Sequence, residues 1–334
     1  MNGPITGLGV ALATPFTTGA EAEEATAKRS TRPAQGRLDP AAYARLVEHV
    51  VTGGVDHVVV LGSTGEAATV SDEERDMLVR LTVEVVDRLA ATVGRRVPVV
   101  VGVGHNATER TCELARAAVD AGADGLLVVT PYYNKPQPAG LEAHYRAVAA
   151  AAPGTPIVAY NVPGRTGCNL TPGTLQRLWS IPEVVAVKES SGDIRQISRI
   201  CHEAPPGKTV LAGDDDIALA AIAVGCQGLV SVAANVAPRQ VAALVEAARH
   251  GELETARRLD VELAPLASAL FCETNPVPVK AALACLGLGT GLVRPPLAPA
   301  EPDTWARVQA ALSGLGLGRA SLPTAAATTL EMAS

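Results

Sequence analysis

Aromatic residues, basic clusters and long apolar runs are all scarce in this sequence. Phe, Trp and Tyr make up only 3% of the 334 residues, so each tyrosine outside the core is conspicuous. No apolar run approaches the ~20 residues that a membrane-spanning helix needs. The formal net charge is −6, and no lysine- or arginine-rich run of the kind found in nucleic-acid-binding chains appears. We therefore expect neither a membrane nor a nucleic acid among its partners.

The cysteines and histidines lack the spacing of a disulfide framework or a metal site. The six cysteines are scattered, with no CxxC pair and no histidine at ligand spacing. This pattern is typical of reduced, buried thiols. The N-terminus also shows no basic segment followed by an apolar one, which a secretory signal requires. The sequence predicts a soluble, cytoplasmic protein without a bound metal ion.

What the chain does contain is a regular alternation of short apolar strands and helices. Strict βα alternation indicates a parallel sheet, and eight such units are the number that closes a (β/α)8 TIM barrel. A doubly wound open sheet is the alternative, but Gly102-Val-Gly104 is only a partial match to the glycine-rich turn typical of that fold. The predicted strands are Leu8–Ala13, His57–Leu61, Val97–Val103, Gly125–Val129, Ile157–Tyr160, Val184–Lys188, Thr209–Ala212 and Gly228–Val232.

The strand pattern also divides the chain. We expect the barrel to occupy residues 1–237, with a surface insertion at about 17–37 that has no β pattern. Residues 238–312 contain helical patterns without strands, which predicts a C-terminal all-α extension. The glycine- and alanine-rich tail 313–334 is predicted to be disordered.

One stretch, Val184-Val-Ala-Val-Lys188-Glu-Ser-Ser-Gly-Asp193, joins a strand directly to a single lysine. A continuous apolar run bounded by turn residues is typical of a strand buried on both faces. Low dielectric at the end of such a strand disfavours the charged amine, which makes Lys188 a candidate nucleophile. The alternative is an ordinary lysine that pairs with Glu189 or another carboxylate.

Other polar residues follow the remaining strands and should meet Lys188 at one mouth of the barrel. A neutral lysine can add to a ketone, while phenols and hydroxyls move the protons that imine formation requires. An arginine can hold a carboxylate bidentately. Each residue alone has a structural alternative, such as packing, capping, or an Arg165–Asp214 ion pair, but together they indicate imine chemistry. The polar residues at the strand ends are Thr14, segments 62–66, 130–134 and 160–167, Lys188, Gly213-Asp-Asp215 and Ser231.

Six motifs in this order and at these intervals resemble the dihydrodipicolinate synthase (4-hydroxy-tetrahydrodipicolinate synthase) family. This family belongs to the class I aldolases, together with N-acetylneuraminate lyase. The resemblance extends from about Ile5 to Leu312, apart from the insertion. The motifs are Gly62-Ser-Thr-Gly-Glu66, Thr130-Pro-Tyr-Tyr-Asn134, Tyr160-Asn-Val-Pro-Gly-Arg-Thr166, Val187-Lys-Glu-Ser-Ser-Gly-Asp193, Gly213-Asp-Asp215 and Asn275-Pro-Val-Pro-Val-Lys280.

The resemblance implies a lyase that condenses pyruvate with L-aspartate 4-semialdehyde, the entry step of the diaminopimelate route to lysine. It implies that Lys188 forms the Schiff base with pyruvate. Tyr160, Ser63 and Tyr133 would form the proton relay, with Tyr133 reaching in from an adjacent subunit. The family is typically a homotetramer, a dimer of dimers, and uses neither a metal nor an organic cofactor.

The resemblance also implies roles in substrate binding. Arg165 would bind the carboxylate of the semialdehyde, and Thr64 with the local backbone would hold the carboxylate of pyruvate. Val230 and Gly213 would line the pocket.

Ser63 is a departure that keeps alternatives open, because the family usually has threonine there and serine loses the methyl group that restricts the rotamer. Gly-Ser-Thr-Gly-Glu also occurs in the neuraminate-lyase branch. A related pyruvate- or 2-keto-acid-dependent aldolase, lyase or dehydratase acting on a sugar acid or hydroxy-oxo acid is therefore an alternative. A non-enzymatic keto-acid-binding protein on the same scaffold is a third hypothesis.

We predict that lysine inhibits this protein weakly or not at all. Many relatives bind lysine through histidine and glutamate side chains, whereas the corresponding positions here are Asp72, Arg75 and Arg110, with Asn106 and Tyr132 retained. An arginine in place of a carboxylate repels the lysine ammonium group. Titration of the turnover rate with L-lysine measures this, and a low-micromolar inhibition constant would contradict the prediction.

Overall fold

The computed structural model describes residues 5–18 and 36–318, and it confirms the predicted barrel. Eight parallel strands close into a ring, in which the first strand pairs with both the second and the last. Two strands have the predicted bounds, four are one to three residues shorter, and two extend one residue further. In chain order the strands are Gly7–Ala11, His57–Val60, Val99–Gly102, Gly125–Val129, Ile157–Asn161, Val184–Glu189, Thr209–Ala212 and Gly228–Ser231.

A helix follows each barrel strand, and side-chain caps start two of these helices. The Asp39 side chain accepts the Ala42 backbone N–H, and Ser71 with Glu74 forms a reciprocal capping box. No helix in the described residues is both long and apolar enough to cross a membrane. The eight helices are Pro40–Thr52, Asp72–Val93, Thr108–Asp120, Pro138–Ala151, Pro172–Trp179, Ile194–Glu203, Ala218–Ala223 and Pro238–Arg249; the short helix Pro163–Thr166 precedes the fifth of them.

Apolar side chains are buried on both faces of the barrel strands, which explains why the strands are continuous apolar runs. Inward-facing residues from different strands, such as Val59, Leu127 and Leu211, fill the interior. Outward-facing residues such as Val58 and Val187 belong to the core under the helices.

Three further helices form the C-terminal extension: Leu253–Leu270, Val277–Cys285 and Pro302–Gly314. Helix Pro238–Arg249, which precedes them, packs against the first and last barrel strands as well as against the extension. This helix is therefore the eighth helix of the barrel, and it lies beyond residue 237, the position at which the sequence analysis ended the barrel. The division into domains itself stays a prediction.

The ends of the predicted insertion correct one expectation. Phe16–Thr17 and Arg37–Leu38 are short strands that pair antiparallel, although no β pattern was predicted between residues 17 and 37. The chain leaves and returns at adjacent points, so its backbone groups can pair there whatever the side chains are. The rest of the insertion, residues 19–35, and most of the predicted tail, residues 319–334, lie outside the described residues. Helix Pro302–Gly314 includes the first two residues of that tail.

A buried ion pair joins the extension to the loop after the second strand. The Lys280 Nζ lies 2.5 Å from the Glu66 Oε1, and both side chains are almost fully buried. The other oxygen of Glu66 accepts the Arg294 backbone N–H at 2.9 Å. Burial lowers the pKa of Lys280 to about 8, although the Glu66 carboxylate opposes this shift. The pair therefore fixes the position of the segment that carries Ser63 and Thr64.

Breaking this pair should destabilise the protein strongly. Lys280→Met leaves the Glu66 carboxylate buried without its cation, and we expect the free energy of unfolding to fall by about 3–5 kcal/mol. The double variant with Glu66→Gln should recover part of this loss, because no buried charge is left unpaired. Urea unfolding measures both variants. Arg80→Ala, which breaks the exposed Arg80–Asp76 pair, should stay near the native stability; an equally small effect of Lys280→Met would contradict the prediction.

Stability should also fall in acid, because of a buried histidine at the start of the second strand. His57 is 2% exposed, and burial lowers the pKa of its imidazole from 6.5 to about 4, although the Asp56 carboxylate opposes the shift. Between these two pH values the unfolded chain binds a proton that the folded chain does not. We therefore expect the free energy of unfolding to decrease by roughly 3 kcal/mol as the pH falls through this range.

Urea unfolding between pH 7 and pH 4 tests this expectation. His57→Gln should make the decline shallower, while His49 and His144, whose pKa values burial also lowers, keep part of it. His250→Gln, at an exposed position, should leave the decline as in the native protein. An identical pH dependence in His57→Gln and the native protein would refute the role of His57.

Candidate active site

Lys188 and Tyr160 lie side by side inside the barrel. They are paired residues on the neighbouring parallel strands Val184–Glu189 and Ile157–Asn161, so their side chains point to the same face. The Lys188 Nζ lies 4.4 Å from the centre of the Tyr160 ring, and both side chains are buried. An amine and a phenol held this close can exchange protons with one reacting group.

The carboxylate next to Lys188 in the chain belongs to a different hydrogen-bond network. Glu189 accepts hydrogen bonds from the Asn161 Nδ2 and from the Ser191 backbone N–H, each at 2.9 Å. Adjacent residues on a strand face opposite sides, so Glu189 points away from the barrel interior. The alternative in which Lys188 pairs with Glu189 therefore does not describe this structure.

Gly213 provides the space that the Lys188 side chain occupies. A Cβ atom at position 213 would lie 2.8 Å from the Lys188 Cε and 1.8 Å from the Ser190 Oγ. A side chain at position 213 would therefore force the Ser190 and Lys188 side chains to move. The neighbouring Asp214 is largely buried, which raises the pKa of its carboxyl to about 6, while the positive charge of Lys188 opposes this shift.

A cavity of about 600 Å³ is lined by Ser63, Tyr160 and Arg165. This volume suits a small organic ligand. Val230 lies in the barrel interior with Tyr160 and is fully buried. The structure thus brings Ser63, Tyr160 and Arg165 together around the cavity. Lys188 lies next to Tyr160 and Gly213 next to Lys188, but neither of them, nor Val230, is among the residues that line the cavity.

Asn275 connects two of the predicted substrate-binding residues. Its Nδ2 donates to the Thr64 Oγ1 at 3.0 Å, and its backbone carbonyl accepts from the Arg165 Nη2 at 3.0 Å. Arg165 therefore contacts the C-terminal extension, not Asp214 as one alternative held. No role was predicted for Asn275, because its two contacts span 211 and 110 residues of sequence. The only feature of the sequence that pointed to Asn275 was its place in the Asn275–Lys280 motif.

Tyr133 stands apart from the other predicted catalytic residues. Its side chain is 89% exposed, and its backbone adopts a left-handed conformation with φ of 74°. Its backbone N–H donates to the Thr166 carbonyl at 3.3 Å, which fixes the turn but leaves the phenol on the surface. Within one chain, Tyr133 is thus not brought to Lys188. The preceding residue, Tyr132, lines the cavity instead.

Of the residues considered for lysine binding, Asp72, Arg75, Arg110 and Tyr132 line the same cavity, whereas Asn106 does not. Arg110 forms an ion pair with Asp72 and a second one with Glu113, while Arg75 donates to the Ala67 carbonyl at 2.5 Å. The positive charge of Arg110 is thus partly neutralised, so Arg75 supplies most of the repulsion on which the feedback prediction depends. That prediction stays open to measurement.

Comparison with known proteins places this chain in a family. The model of the dihydrodipicolinate synthetase family matches residues 7–315. A 4-hydroxy-tetrahydrodipicolinate synthase of Thermomicrobium roseum is 47% identical over 276 residues, 83% of this chain and 89% of the relative. One of Thermotoga neapolitana is 42% identical over 315 residues, 93% of this chain and 99% of the relative. The chloride-inhibited dihydrodipicolinate synthase of Acinetobacter baumannii, solved with pyruvate, is similar with a TM-score of 0.84 at 35% identity, covering 94% of this chain and 99% of that one. The chain belongs to the dihydrodipicolinate synthetase family.

Proposed function

We propose that this protein is a lyase that condenses pyruvate with L-aspartate 4-semialdehyde to 4-hydroxy-tetrahydrodipicolinate, in the diaminopimelate route to lysine. The observation that carries the proposal is the buried Lys188 amine, 4.4 Å from the centre of the Tyr160 ring, in a chain of this family. The relatives named synthases are similar over nearly their whole length. A related keto-acid lyase acting on sugar acids has no comparable support.

In the proposed reaction, the neutral Lys188 amine attacks the ketone carbon of pyruvate. Loss of water from the resulting carbinolamine gives the imine, and loss of a methyl proton gives the enamine that attacks the aldehyde carbon, whose oxygen takes up a proton. The amino group of the semialdehyde then adds to the imine carbon and closes the six-membered ring. The bond between this carbon and the Lys188 nitrogen breaks, which releases the product and the free amine. Tyr160 is close enough to donate and accept these protons, and the Ser63 hydroxyl on the same cavity extends the relay. The covalent imine itself accepts the electrons, so we assign no metal ion or organic cofactor to the reaction.

Two residues of the site suit the carboxylates of the substrates. Arg165 lines the cavity and supplies a planar cation for the carboxylate of the semialdehyde. We assign the carboxylate of pyruvate to the Thr64 hydroxyl and the neighbouring backbone N–H groups. Gly213 and Val230 bound the space beside the imine.

The exposed Tyr133 supports an oligomer. A phenol that is 89% exposed gains a function if it enters the site of an adjacent subunit and completes the relay there. We therefore propose a homotetramer, a dimer of dimers, in which Tyr133 crosses the dimer interface. We further propose a cytoplasmic location, which the free state of all six cysteines favours.

Lys188→Ala should abolish the activity. The assay follows pyruvate-dependent consumption of L-aspartate 4-semialdehyde, coupled to a dihydrodipicolinate reductase, and borohydride reduction traps the pyruvate imine for mass spectrometry. The expected result is turnover and trapping in the native protein and neither in Lys188→Ala, because Lys188 is the amine that lies beside Tyr160. Lys208→Ala is the matched control, since the Lys208 Nζ donates to the Val184 carbonyl at the opposite end of the strand that carries Lys188.

The outcomes separate the hypotheses. Trapped pyruvate without turnover of the semialdehyde would mean that the acceptor is wrong, and sugar acids would be tried next. No trapping in the native protein would favour a non-enzymatic keto-acid-binding protein. Trapping in Lys188→Ala would refute the assignment of the nucleophile.

A further inference from the structure

Two cysteines meet in the layer between the barrel and its helices. The Cys201 Sγ lies 3.9 Å from the Cys226 Sγ, a contact in which one thiol can donate a hydrogen bond to the other. Within residues 5–18 and 36–318, which include all six cysteines, no other two thiols are in such contact. Neither cysteine lines the cavity beside Ser63 and Tyr160, so the proposed reaction does not use this pair.

The backbone on both sides holds the two thiols together. Cys201 lies near the end of helix Ile194–Glu203, and Cys226 lies in the turn before the last barrel strand. The Cys226 backbone N–H donates to the Ala221 carbonyl at 3.0 Å, which fixes this turn. Gly225 has a φ of 120°, and a Cβ atom there would lie 3.0 Å from the Cys201 Cβ. The turn is therefore packed directly against Cys201.

The distance between the sulfur atoms is close to what a disulfide requires. A disulfide bond is about 2.05 Å long, so each sulfur has to move by only about 1 Å. Changes in side-chain torsions can supply a shift of this size while the helix and the turn stay in place. Formation of the bond therefore does not require the fold to open.

The two thiols differ in their access to an oxidant. Cys226 is 3% exposed, whereas Cys201 is half-buried, so an oxidant meets Cys201 first. The hydrogen bond with Cys226 lowers the pKa of the Cys201 thiol, although burial and the Glu189 carboxylate oppose this shift. The same contact and burial raise the pKa of Cys226. Cys201 is thus the better nucleophile, and Cys226 is placed to attack it afterwards.

We propose that Cys201 and Cys226 form a reversible disulfide with a small-molecule disulfide, such as oxidised glutathione, as the oxidant. The Cys201 thiolate attacks one sulfur of the small disulfide, whose S–S bond breaks, and the thiolate that leaves takes up a proton. The Cys226 thiol then loses its proton and attacks the Cys201 sulfur, which releases the second small thiol. Two protein thiols are oxidised to one disulfide, and one small disulfide is reduced to two thiols.

The bond would link the helix that follows the Lys188 strand to the start of the last strand. The two cysteines are 25 positions apart in the sequence, and a cross-link over such a loop restricts the unfolded chain. The oxidised protein is therefore the more stable form. A transient disulfide of this kind is also compatible with a reducing compartment.

The test identifies the disulfide directly in the native protein. The protein is incubated with excess oxidised glutathione, its remaining thiols are blocked with iodoacetamide, and it is digested with trypsin without reduction. Cys201 and Cys226 lie on different tryptic peptides, 200–208 and 209–239. Mass spectrometry should find these two peptides joined, and dithiothreitol should separate them. The midpoint of thermal unfolding should be higher by roughly 5 °C in the oxidised form.

Three results with the native protein would contradict the proposal. Six blocked thiols after the incubation, or a disulfide between other cysteines or between subunits, would overturn the assignment of the pair. An unchanged midpoint of thermal unfolding in the cross-linked protein would overturn its stabilising effect. The readout is the disulfide and not turnover, so the result does not depend on the proposed reaction.

Single variants test the order of attack. Cys226→Ser should keep glutathione bound to Cys201, because the second thiol is missing. Cys201→Ser should form neither the cross-link nor an adduct on the buried Cys226, and an adduct there would overturn the assignment of Cys201 as the attacking thiol. Cys112→Ser is the matched control: Cys112 is also buried under the helices, and its loss should leave the cross-link and the midpoint shift as in the native protein.

Discussion

The register between the fifth and sixth barrel strands is the constraint on which the site depends. This register pairs Tyr160 with Lys188 and, one position further along both strands, Asn161 with Glu189. Because side chains alternate between faces, the first pair meets inside the barrel and the second pair meets outside, where the Asn161 amide binds the Glu189 carboxylate. A shift of one residue would exchange the two faces, burying a carboxylate in the site and moving the amine out of it. The outer hydrogen bond therefore helps to hold the inner pair.

The C-terminal extension is part of the same construction. A barrel alone supplies strand ends, but the loop after the second strand also needs a fixed position. The Glu66–Lys280 pair supplies that position, and the segment just before the lysine carries Asn275 to Thr64 and Arg165. Helix Val277–Cys285 therefore anchors the loop, and the residues just before this helix enter the site. A change in the extension should therefore alter substrate binding as well as stability.

Local patterns predicted some of these features and missed others for a physical reason. Apolar runs and caps predict strands and helices, since both depend on neighbours in sequence, and Lys188 was identified because a lysine at the end of a buried strand is conspicuous. Asn275 carries no such signal, because its hydrogen bonds join residues more than 100 positions apart. Nor did the sequence show that Glu66 and Lys280 would pair. The exposure of Tyr133 could not be predicted from local patterns either, because only the folded structure shows that its phenol lies on the surface.

The two buried lysines show how surroundings decide which amine can react. The Lys280 Nζ donates to the Glu66 carboxylate at 2.5 Å, and its nitrogen could attack a substrate only by giving up this buried ion pair. Lys188 forms no salt bridge within residues 5–18 and 36–318, and its Nζ lies over the face of the Tyr160 ring, 4.4 Å from its centre. Its amine can therefore meet a substrate without giving up a salt bridge, and the phenol of Tyr160 lies on the neighbouring strand. The same residue type is therefore a structural cation in the extension and a candidate nucleophile in the barrel.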